Sequence, residues 1–444
     1  MIVAEQRIRR SENTPALARW RITMLEISII GVLFLAIIAP ALEMPRFSFA
    51  NSGRQLGYLL LALLVIIALD PREFRRVLVL PWPIVLTLGW FWFSLTWSSN
   101  LGLSFSRLLL TSIVIWIAFA AVPAIGSART ILFMRIILTL ALITNYVVVY
   151  LFPDVGTHLD HEGLWRGFMS SKNHAGAICS LTIIIWVFNV PHRQRWIGIL
   201  VAISSAIFLW QSGSRTPTIM LIIALALTGL LYLTTSLIRK VITQDKQDII
   251  DRIIISVFGF VAFLLIYLTF FTNILVNLTS NPEIFSGRNQ LWQPLLLFYL
   301  DHPFLGSGFG GFWVDSQTRI HSTSRAWLDN VSQGHNGYLE IAVQTGLPGL
   351  LLALFAGLFW PIREFLRLIM KKYKIPLVVV GIFIFCIGSN ITESGFFLRD
   401  TLWQVFLMLA LAMLHSGQAK GLRIKASRSR LVRRRRTTES GKSL

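Results

Sequence analysis

The chain has 444 residues, of which 55% are hydrophobic and only 14% are charged, and its mean hydropathy is +0.66. Soluble domains carry about 25% charged residues, so this composition excludes an ordinary soluble protein and indicates a polytopic membrane protein. The formal net charge of +20 is partly an effect of the C-terminal tail. The arginines at 433–436 are typical of an anchor at an anionic inner leaflet, and we expect no nucleic-acid partner.

Hydrophobic runs predict an all-α fold with about twelve transmembrane helices. Several runs are near or slightly below the roughly 20 residues needed to cross the bilayer core, so their flanks must contribute. The predicted spans are 22–42, 55–69, 77–97, 104–124, 131–152, 174–190, 196–211, 216–238, 253–277, 338–360, 375–390 and 402–416.

Basic residues set the predicted orientation of these spans. Of the 41 Lys and Arg residues, 31 lie on one predicted side, in the N-terminal arm, alternate loops and the C-terminal tail. The positive-inside rule places that side, with both termini, in the cytoplasm. The two longest loops, 153–173 and 278–337, are then external, where loop residues can assemble a site. We therefore predict a basic arm at 1–21, a transmembrane domain at 22–416 and a disordered basic tail at 417–444.

Two external segments combine cationic and hydrogen-bonding side chains. Arg166 and Lys172 lie near the end of the first long loop and could bind an anionic head group, although a solvated loop would also explain them. Arg215 lies in the very short connection 211–217 and stays close to the bilayer. Arginine costs about 2.5–3.5 kcal/mol at a helix centre, and near the interface it can snorkel. The Ser and Thr hydroxyls around Arg215 favour a ligand role, as do the free N–H groups of the helix that follows.

The second long loop contains Arg288 at the start of a predicted amphipathic helix. Apolar residues recur at helical spacing through 288–300, which indicates a helix lying along the membrane. The glycine-rich stretch 302–313 permits tight turns and close approach of the backbone, but by itself it is weak evidence for a site.

A titratable cluster opens the tenth span. His335 is followed by Asn336, Tyr338 and Glu340, and because residues three and four apart share a helix face, Asn336 and Glu340 could lie together. A lone histidine is more often structural, but one with these neighbours could take a proton from a hydroxyl. Glu393, in the last external loop, could orient such a base, bind sugar hydroxyls, or be a solvated loop acid.

These motifs together resemble the O-antigen ligase and bacterial polysaccharide polymerase superfamily. They cover roughly residues 160–400, and their order, spacing and shared external side make the set fairly specific. Segment 165–173 makes the chain most similar to exopolysaccharide polymerases of the succinoglycan type. The matching motifs are His335-Asn336-Gly337-Tyr338-Leu339 with Gly346 and Gly349, Ser286-Gly287-Arg288 with Trp292, His302-Pro303-Phe304-Leu305-Gly306-Ser307-Gly308, and Ser214-Arg215.

The resemblance implies a membrane-embedded glycosyltransferase of the C type, with 22–416 as its catalytic domain. Such enzymes use undecaprenyl-diphosphate-linked oligosaccharides at the periplasmic face of the bacterial inner membrane, without a metal or cofactor. It assigns diphosphate binding to Arg215 and Arg288 and assistance of transfer to His335. It gives Arg166 and Lys172 secondary roles, because that segment varies more across the superfamily. With the four residues singled out above by their chemistry, they make up the predicted substrate-binding set: Arg166, Lys172, Asn336, Tyr338, Glu340 and Glu393. The expected partners are the lipid-linked oligosaccharide, membrane lipids, and chain-length regulator and export proteins.

Two alternatives stay open at this point. The motifs do not separate a polysaccharide polymerase from an O-antigen ligase or an oligosaccharyltransferase that uses the same donor. A lipid-linked oligosaccharide flippase or a secondary transporter could also have twelve spans, although transporters usually place polar groups near the bilayer midplane. The sequence has no Walker A motif, which argues against an ATP-driven pump.

Overall fold

The computed structural model describes residues 19–42, 50–69, 80–158, 163–241, 247–271, 288–313, 333–370 and 376–417. This part of the chain forms a helix bundle, and its helices are numbered here in chain order. The first seven are α1 (Arg19–Leu42), α2 (Ala50–Ala68), α3 (Trp82–Phe93), α4 (Leu101–Ile125), α5 (Ser127–Leu151), α6 (Lys172–Phe188) and α7 (Arg195–Ser212). The remainder are α8 (Arg215–Val241), α9 (Gln247–Phe271), α10 (Asn289–Asp301), α11 (Gly337–Leu354), α12 (Leu377–Ser389) and α13 (Leu402–Gly417).

Short elements complete the described chain. Helix α11 continues without a break through a π-helical turn, Phe355–Phe359, into the helix Trp360–Met370. Between α5 and α6, two-residue strands β1 (Thr157–His158) and β2 (Leu164–Trp165) pair in antiparallel fashion. The other short elements are the helical turn Pro153–Gly156 and the 3-10 turns Ser94–Trp97 and His192–Gln194.

Every predicted span overlaps one of these helices, and the prediction of an all-α polytopic membrane protein is confirmed. Within the described residues, seven helices are long and apolar enough to cross a membrane, while α2, α6, α12 and α13 are shorter apolar helices. With 13 residues, α12 extends about 20 Å, against a hydrocarbon core of about 30 Å. Since α12 and α13 are mostly buried among other helices, they need not contact lipid along a full bilayer thickness.

The starts of α2, α4, α6, α8, α11 and α13 meet at one end of the bundle, which we call the site end. Arg54 in α2 lies 3.5 Å from Asp400, which precedes α13, and Arg107 in α4 donates a 2.6 Å hydrogen bond to the carbonyl oxygen of Gly310. The start of α11 joins the same end because the backbone N–H of Gly337 donates to the carbonyl oxygens of Asn390 and Glu393.

Ion pairs hold the opposite end of the bundle together. Arg129 in α5 pairs with Glu26 in α1. Arg363, in the helix Trp360–Met370, makes a bidentate ion pair with Asp251 in α9, with hydrogen bonds of 2.9 and 3.0 Å. The first and last described residues, Arg19 and Gly417, both belong to this end. The basic arm and the basic tail fall almost entirely in residues 1–18 and 418–444, which lie outside the described residues.

Two motifs of the sequence contact each other at the site end. Gly346 breaks the helical geometry of α11 with a φ of 70°, and a Cβ at this position would clash with the backbone of Phe304. The loop that follows α10 docks on this kink, since the backbone N–H of Leu347 donates to the carbonyl oxygen of Pro303 over 2.7 Å. The glycine-rich loop therefore packs directly on α11 at its kink.

The predicted amphipathic helix is present as α10, but its apolar face packs against protein. Leu291, Trp292, Leu295, Leu296 and Tyr299 are all buried, and α10 packs on α11. The indole N–H of Trp292 donates a 2.9 Å hydrogen bond to the carbonyl oxygen of Gly334. Helix α10 thus fixes the backbone immediately before His335.

Candidate functional site

The tight turn between α7 and α8 places Arg215 next to the start of α6. Gly213 caps α7 in the left-handed region, with a φ of 59°, and reverses the chain. The hydroxyl of Ser214 donates a 2.7 Å hydrogen bond to the carbonyl oxygen of Lys172. Gly176 makes this approach possible, because a Cβ there would lie 2.8 Å from the Cβ of Ser214. The first turns of α6 and α8 are therefore joined.

A cleft of about 780 Å³ opens beside this turn. Lys172, Arg215 and Arg288 line it, and no described residue of its lining is acidic. Its outer wall is apolar and includes Trp210, which is 84% exposed, and Ile219, which is 52% exposed. The cleft is therefore cationic inside and borders the surface that a membrane would cover. This combination suits an anionic group attached to a lipid.

Glu393 connects this cleft to His335. It is only 3% exposed, and one of its carboxylate oxygens accepts hydrogen bonds from Arg288 at 3.1 Å and from Asn173 at 2.8 Å. Its other oxygen lies 3.6 Å from Nδ1 of His335. The carboxylate thus fixes a cleft arginine on one side and faces the imidazole on the other.

The surroundings of Glu393 keep it ionised. Burial by itself would raise the pKa of Glu393, but His335, Arg288 and His174 outweigh that effect and hold the pKa below its usual range. An ionised carboxylate facing Nδ1 favours the imidazole tautomer that carries its proton on that nitrogen. Nε2 of His335 is then the ring nitrogen able to accept a proton.

The backbone at His335 adopts an uncommon conformation for a side-chain-bearing residue. Its φ is 47°, in the left-handed region, and its side chain is 34% exposed. Asn336, the next residue, is the N-cap of α11 and accepts hydrogen bonds from the backbone N–H groups of Tyr338 and Leu339. The imidazole is consequently presented from a strained position directly in front of a capped helix.

Glu340 and Tyr338 make hydrogen bonds within the protein. Glu340 is buried and accepts hydrogen bonds from the indole of Trp313, the backbone N–H of Gly334 and the amide of Gln344. The hydroxyl of Tyr338 donates a 2.7 Å hydrogen bond to the carbonyl oxygen of Ile387 in α12. These two side chains hold the loop before His335 and join α11 to α12.

Arg166 is close in sequence to the cleft wall, but its side chain bonds to a neighbouring turn. Its Nε donates a 2.8 Å hydrogen bond to the carbonyl oxygen of Val155, while Trp165 packs its ring against Tyr146 and Phe208. Leu164, the first residue of β2 and two residues before Arg166, belongs to the cleft wall.

The structure adds Asn173 and His174 to the residues inferred from sequence. Asn173 bonds Glu393, and His174 lies in its electrostatic range, contacting Ser171 at 2.8 Å and Trp403 ring to ring. Their position directly after Lys172 was the available signal. In the described part of the chain, no group of three or more His, Cys, Asp or Glu residues could hold a metal ion.

The fold and this site define an integral membrane protein with a cationic, histidine-containing cleft at one end of a helix bundle. Residues 199–354 match the family model described as O-antigen ligase. Over 230 residues the chain is 26% identical to the exopolysaccharide production protein ExoQ of Rhizobium meliloti (strain 1021). These findings support assignment to the O-antigen ligase and polysaccharide polymerase family, and the resemblance inferred from the motifs is confirmed.

The two matches cover the chain only in part. The alignment with ExoQ includes 48% of this chain and 51% of the relative, so the chain spans about half the length of the curated relative that it matches. The family match includes Arg215, Arg288 and His335, whereas Lys172 and Glu393 lie outside it.

Proposed function

We propose that this protein is a polysaccharide polymerase. It transfers a glycan from an undecaprenyl-diphosphate carrier to a sugar hydroxyl of a lipid-linked repeat unit at the periplasmic membrane face. The observation that carries this proposal is the pairing of a cationic cleft with a histidine through one buried carboxylate, Glu393. The family match and the similarity to an exopolysaccharide production protein support it.

The cleft fits the leaving group of this reaction. Lys172, Arg215 and Arg288 can neutralise the charge that develops on the diphosphate as its bond to the anomeric carbon breaks. Arginine suits phosphate because its planar fork donates two parallel hydrogen bonds. The exposed apolar wall, with Trp210 and Ile219, offers a path for the prenyl chain into the bilayer.

His335 fits the acceptor side of the reaction. Its Nε2 takes the proton of the attacking sugar hydroxyl as the oxygen bonds to the anomeric carbon, and the diphosphate departs with the electron pair of the broken bond. Glu393 orients the imidazole and stabilises the imidazolium that forms. The same carboxylate holds Arg288, so the base and the diphosphate site keep a fixed separation.

The remaining residues inferred from sequence have supporting roles in this proposal. Asn336, Tyr338 and Glu340 shape the start of α11 and the loop that carries His335. Arg166, two residues after Leu164 of the cleft wall, contacts the glycan or head group at the cleft entrance.

The test uses purified full-length protein in lipid nanodiscs, supplied with undecaprenyl-diphosphate-linked repeat units. The wild type should form ladders of glycan with two or more repeats, and His335→Ala should leave single repeats unchanged. His192→Ala, which replaces an exposed histidine at the opposite end, is the matched control and should retain the ladder.

Other products identify the alternatives. When a lipid A core or a protein acceptor is added to the nanodiscs, transfer to that acceptor with no ladder indicates a ligase or an oligosaccharyltransferase. With the protein reconstituted in vesicles, movement of the lipid-linked repeat across the membrane without any new glycosidic bond indicates a flippase or transporter and refutes the proposal. A full ladder from His335→Ala would refute the role of the imidazole.

A further inference from the structure

A second polar cavity lies at the site end, on the other side of the Glu393 loop. It has a volume of about 100 Å³, which suits a small chemical group better than a whole sugar chain. Its polar lining comes from α2, α4, α6, α11 and the loop before α13. Among the residues that line it are Arg54, Arg107, His174, Glu340, Arg399 and Asp400.

Positive charge exceeds negative charge in this cavity. Arg54 pairs with Asp400 at 3.5 Å, which leaves Glu340 as the acidic side chain of the lining that attracts both Arg107 and Arg399. The hydrogen bonds that Glu340 accepts come from the neutral groups of Trp313, Gly334 and Gln344. Within the described residues, neither Arg107 nor Arg399 has a carboxylate at ion-pair distance.

Arg107 and Arg399 are both partly buried, and the guanidinium of Arg107 donates to the carbonyl oxygen of Gly310. Partly buried guanidinium groups are stabilised by an anion, so the cavity is suited to bind one.

The second cavity shares a wall with the cationic cleft. Asn173 lines the cleft, while the next residue, His174, lines the cavity. Likewise Glu393 holds Arg288 of the cleft, while Ser394 lines the cavity. His335, which faces Glu393, is two residues from Gln333 of the cavity lining. The segments that carry His335 and Glu393 therefore adjoin both spaces.

We propose that the second cavity binds an anionic group carried by the acceptor glycan, with Arg107 and Arg399 as its ligands. This proposal rests on the proposed transferase function and adds a substrate class to it: the acceptor is an anionic glycan, held in a space separate from the cleft of the donor diphosphate. The anion is either the diphosphate of the second carrier or a sugar carboxylate. Both present oxygens that two guanidinium groups can bind.

The test measures acceptor and donor KM separately with purified full-length protein in nanodiscs. Three acceptors are compared: the repeat glycan joined to a prenyl diphosphate through a non-transferable C-glycosidic bond, the free glycan, and the free glycan with its carboxylates reduced to alcohols. Arg399→Gln should raise the KM for an anionic acceptor about tenfold, the loss of one charge-assisted contact, and leave the donor KM within about twofold. Arg399→Lys should recover part of this loss, because it keeps the charge.

The three acceptors distinguish the two sources of the anion. A rise in KM only for the diphosphate-linked acceptor assigns the cavity to the carrier diphosphate. A rise that persists for the free glycan and disappears after carboxyl reduction assigns it to a sugar carboxylate. An equal effect on all three acceptors, no effect, or an effect on the donor KM alone overturns the proposal.

Two controls keep these outcomes separate from misfolding and from failure of the proposed function. Arg193→Gln removes an exposed arginine at the opposite end and should leave both KM values unchanged. If Arg399→Gln does not fold, acceptor and donor KM are compared for Arg107→Lys instead. This variant keeps the positive charge and loses only the planar, two-donor geometry of the guanidinium group. If the wild type transfers normally while Arg399→Gln is unaffected, only the second site is refuted; if the wild type forms no glycosidic bond, both proposals fail.

Discussion

Glu393 is almost inaccessible to solvent, yet it contacts Arg288 and Asn173 and faces His335. In the sequence it could equally be a solvated loop acid, because nothing local shows that the loop folds back between α6 and α11. Its ionised state follows from its neighbours, which outweigh the effect of burial and keep its pKa low. A single carboxylate therefore links the two halves of the site.

The low pKa of Glu393 predicts a pH-dependent contribution to stability. The unfolded chain binds a proton at this position near pH 4.3, before the folded protein does, so the carboxylate stabilises the fold fully above that pH. Glu393→Gln should therefore lower the Tm at pH 7. The difference in Tm between variant and wild type should close as the pH falls through the lowered pKa of Glu393.

Thermal unfolding in detergent, recorded between pH 3 and 7, measures this difference. Glu26→Gln, which removes one partner of the partly exposed ion pair with Arg129, is the control and should change the Tm little. Equal Tm values at pH 7, or a difference that grows in acid, would contradict the ionised state assigned to Glu393.

Substitutions at Asn336 distinguish two roles for this residue, binding of the substrate and capping of α11. As the N-cap of α11 it accepts two backbone hydrogen bonds, which Ser can also accept and Ala cannot. Asn336→Ala should lower the free energy of unfolding by about 1 kcal/mol, while Asn336→Ser should be close to wild type in stability and in donor KM. Chemical denaturation and steady-state kinetics check the two variants. A stable Asn336→Ser variant with a much higher donor KM would show direct substrate contact instead.

At the scale of elements, the glycine-rich loop packs on the kink in α11. Gly346→Ala combines an unfavourable φ of 70° with a clash against the backbone of Phe304, and should destabilise the protein by more than about 1 kcal/mol. Gly259→Ala in α9 is the matched control, because a Cβ at Gly259 has nothing within 4 Å and should be neutral or slightly stabilising. The Tm values of the two variants are measured in detergent. Equal Tm values would show that the kink at Gly346 does not contribute to stability.

The helices were predictable from the sequence because the bilayer imposes a length and an apolar composition on each span. The amphipathic spacing also predicted α10, but not that its apolar face packs on α11 instead of on lipid. A hydrophobic pattern shows only that one helix face avoids water, and either lipid or another helix can cover that face. The contact between Gly346 and Phe304 joins positions far apart in the chain, so no local pattern could indicate it.

At the scale of the whole molecule, opposite ends of the bundle carry different chemistry. Ion pairs such as that between Arg363 and Asp251 hold one end, and the cleft and second cavity occupy the other. The distribution of basic residues predicted that the site residues lie at one end and most basic residues at the other, because orientation in a membrane depends on charge summed over many loops. The shared cleft of Arg215 and Arg288, with His335 joined to it through Glu393, was anticipated only through the resemblance. Arg107 and Arg399 belong to no recognised motif, and only tertiary packing brings them into one cavity.

The predicted orientation can be tested with single cysteines in a variant that lacks the buried Cys179 and Cys386. Asp154 and His192 are exposed, near the site end and at the opposite end respectively. On intact spheroplasts, a membrane-impermeant maleimide should label Asp154→Cys at once and His192→Cys only after permeabilisation. The reverse pattern would place the cleft in the cytoplasm and exclude a periplasmic reaction.

The most direct test of the account is an experimental structure of the full-length protein in nanodiscs with undecaprenyl diphosphate bound. We expect the diphosphate between the guanidinium groups of Arg215 and Arg288, its prenyl chain along Trp210 and Ile219, and the imidazole of His335 facing the phosphate that would carry the sugar. Diphosphate density at the opposite end of the bundle, or at the site end but away from both arginines, would contradict it.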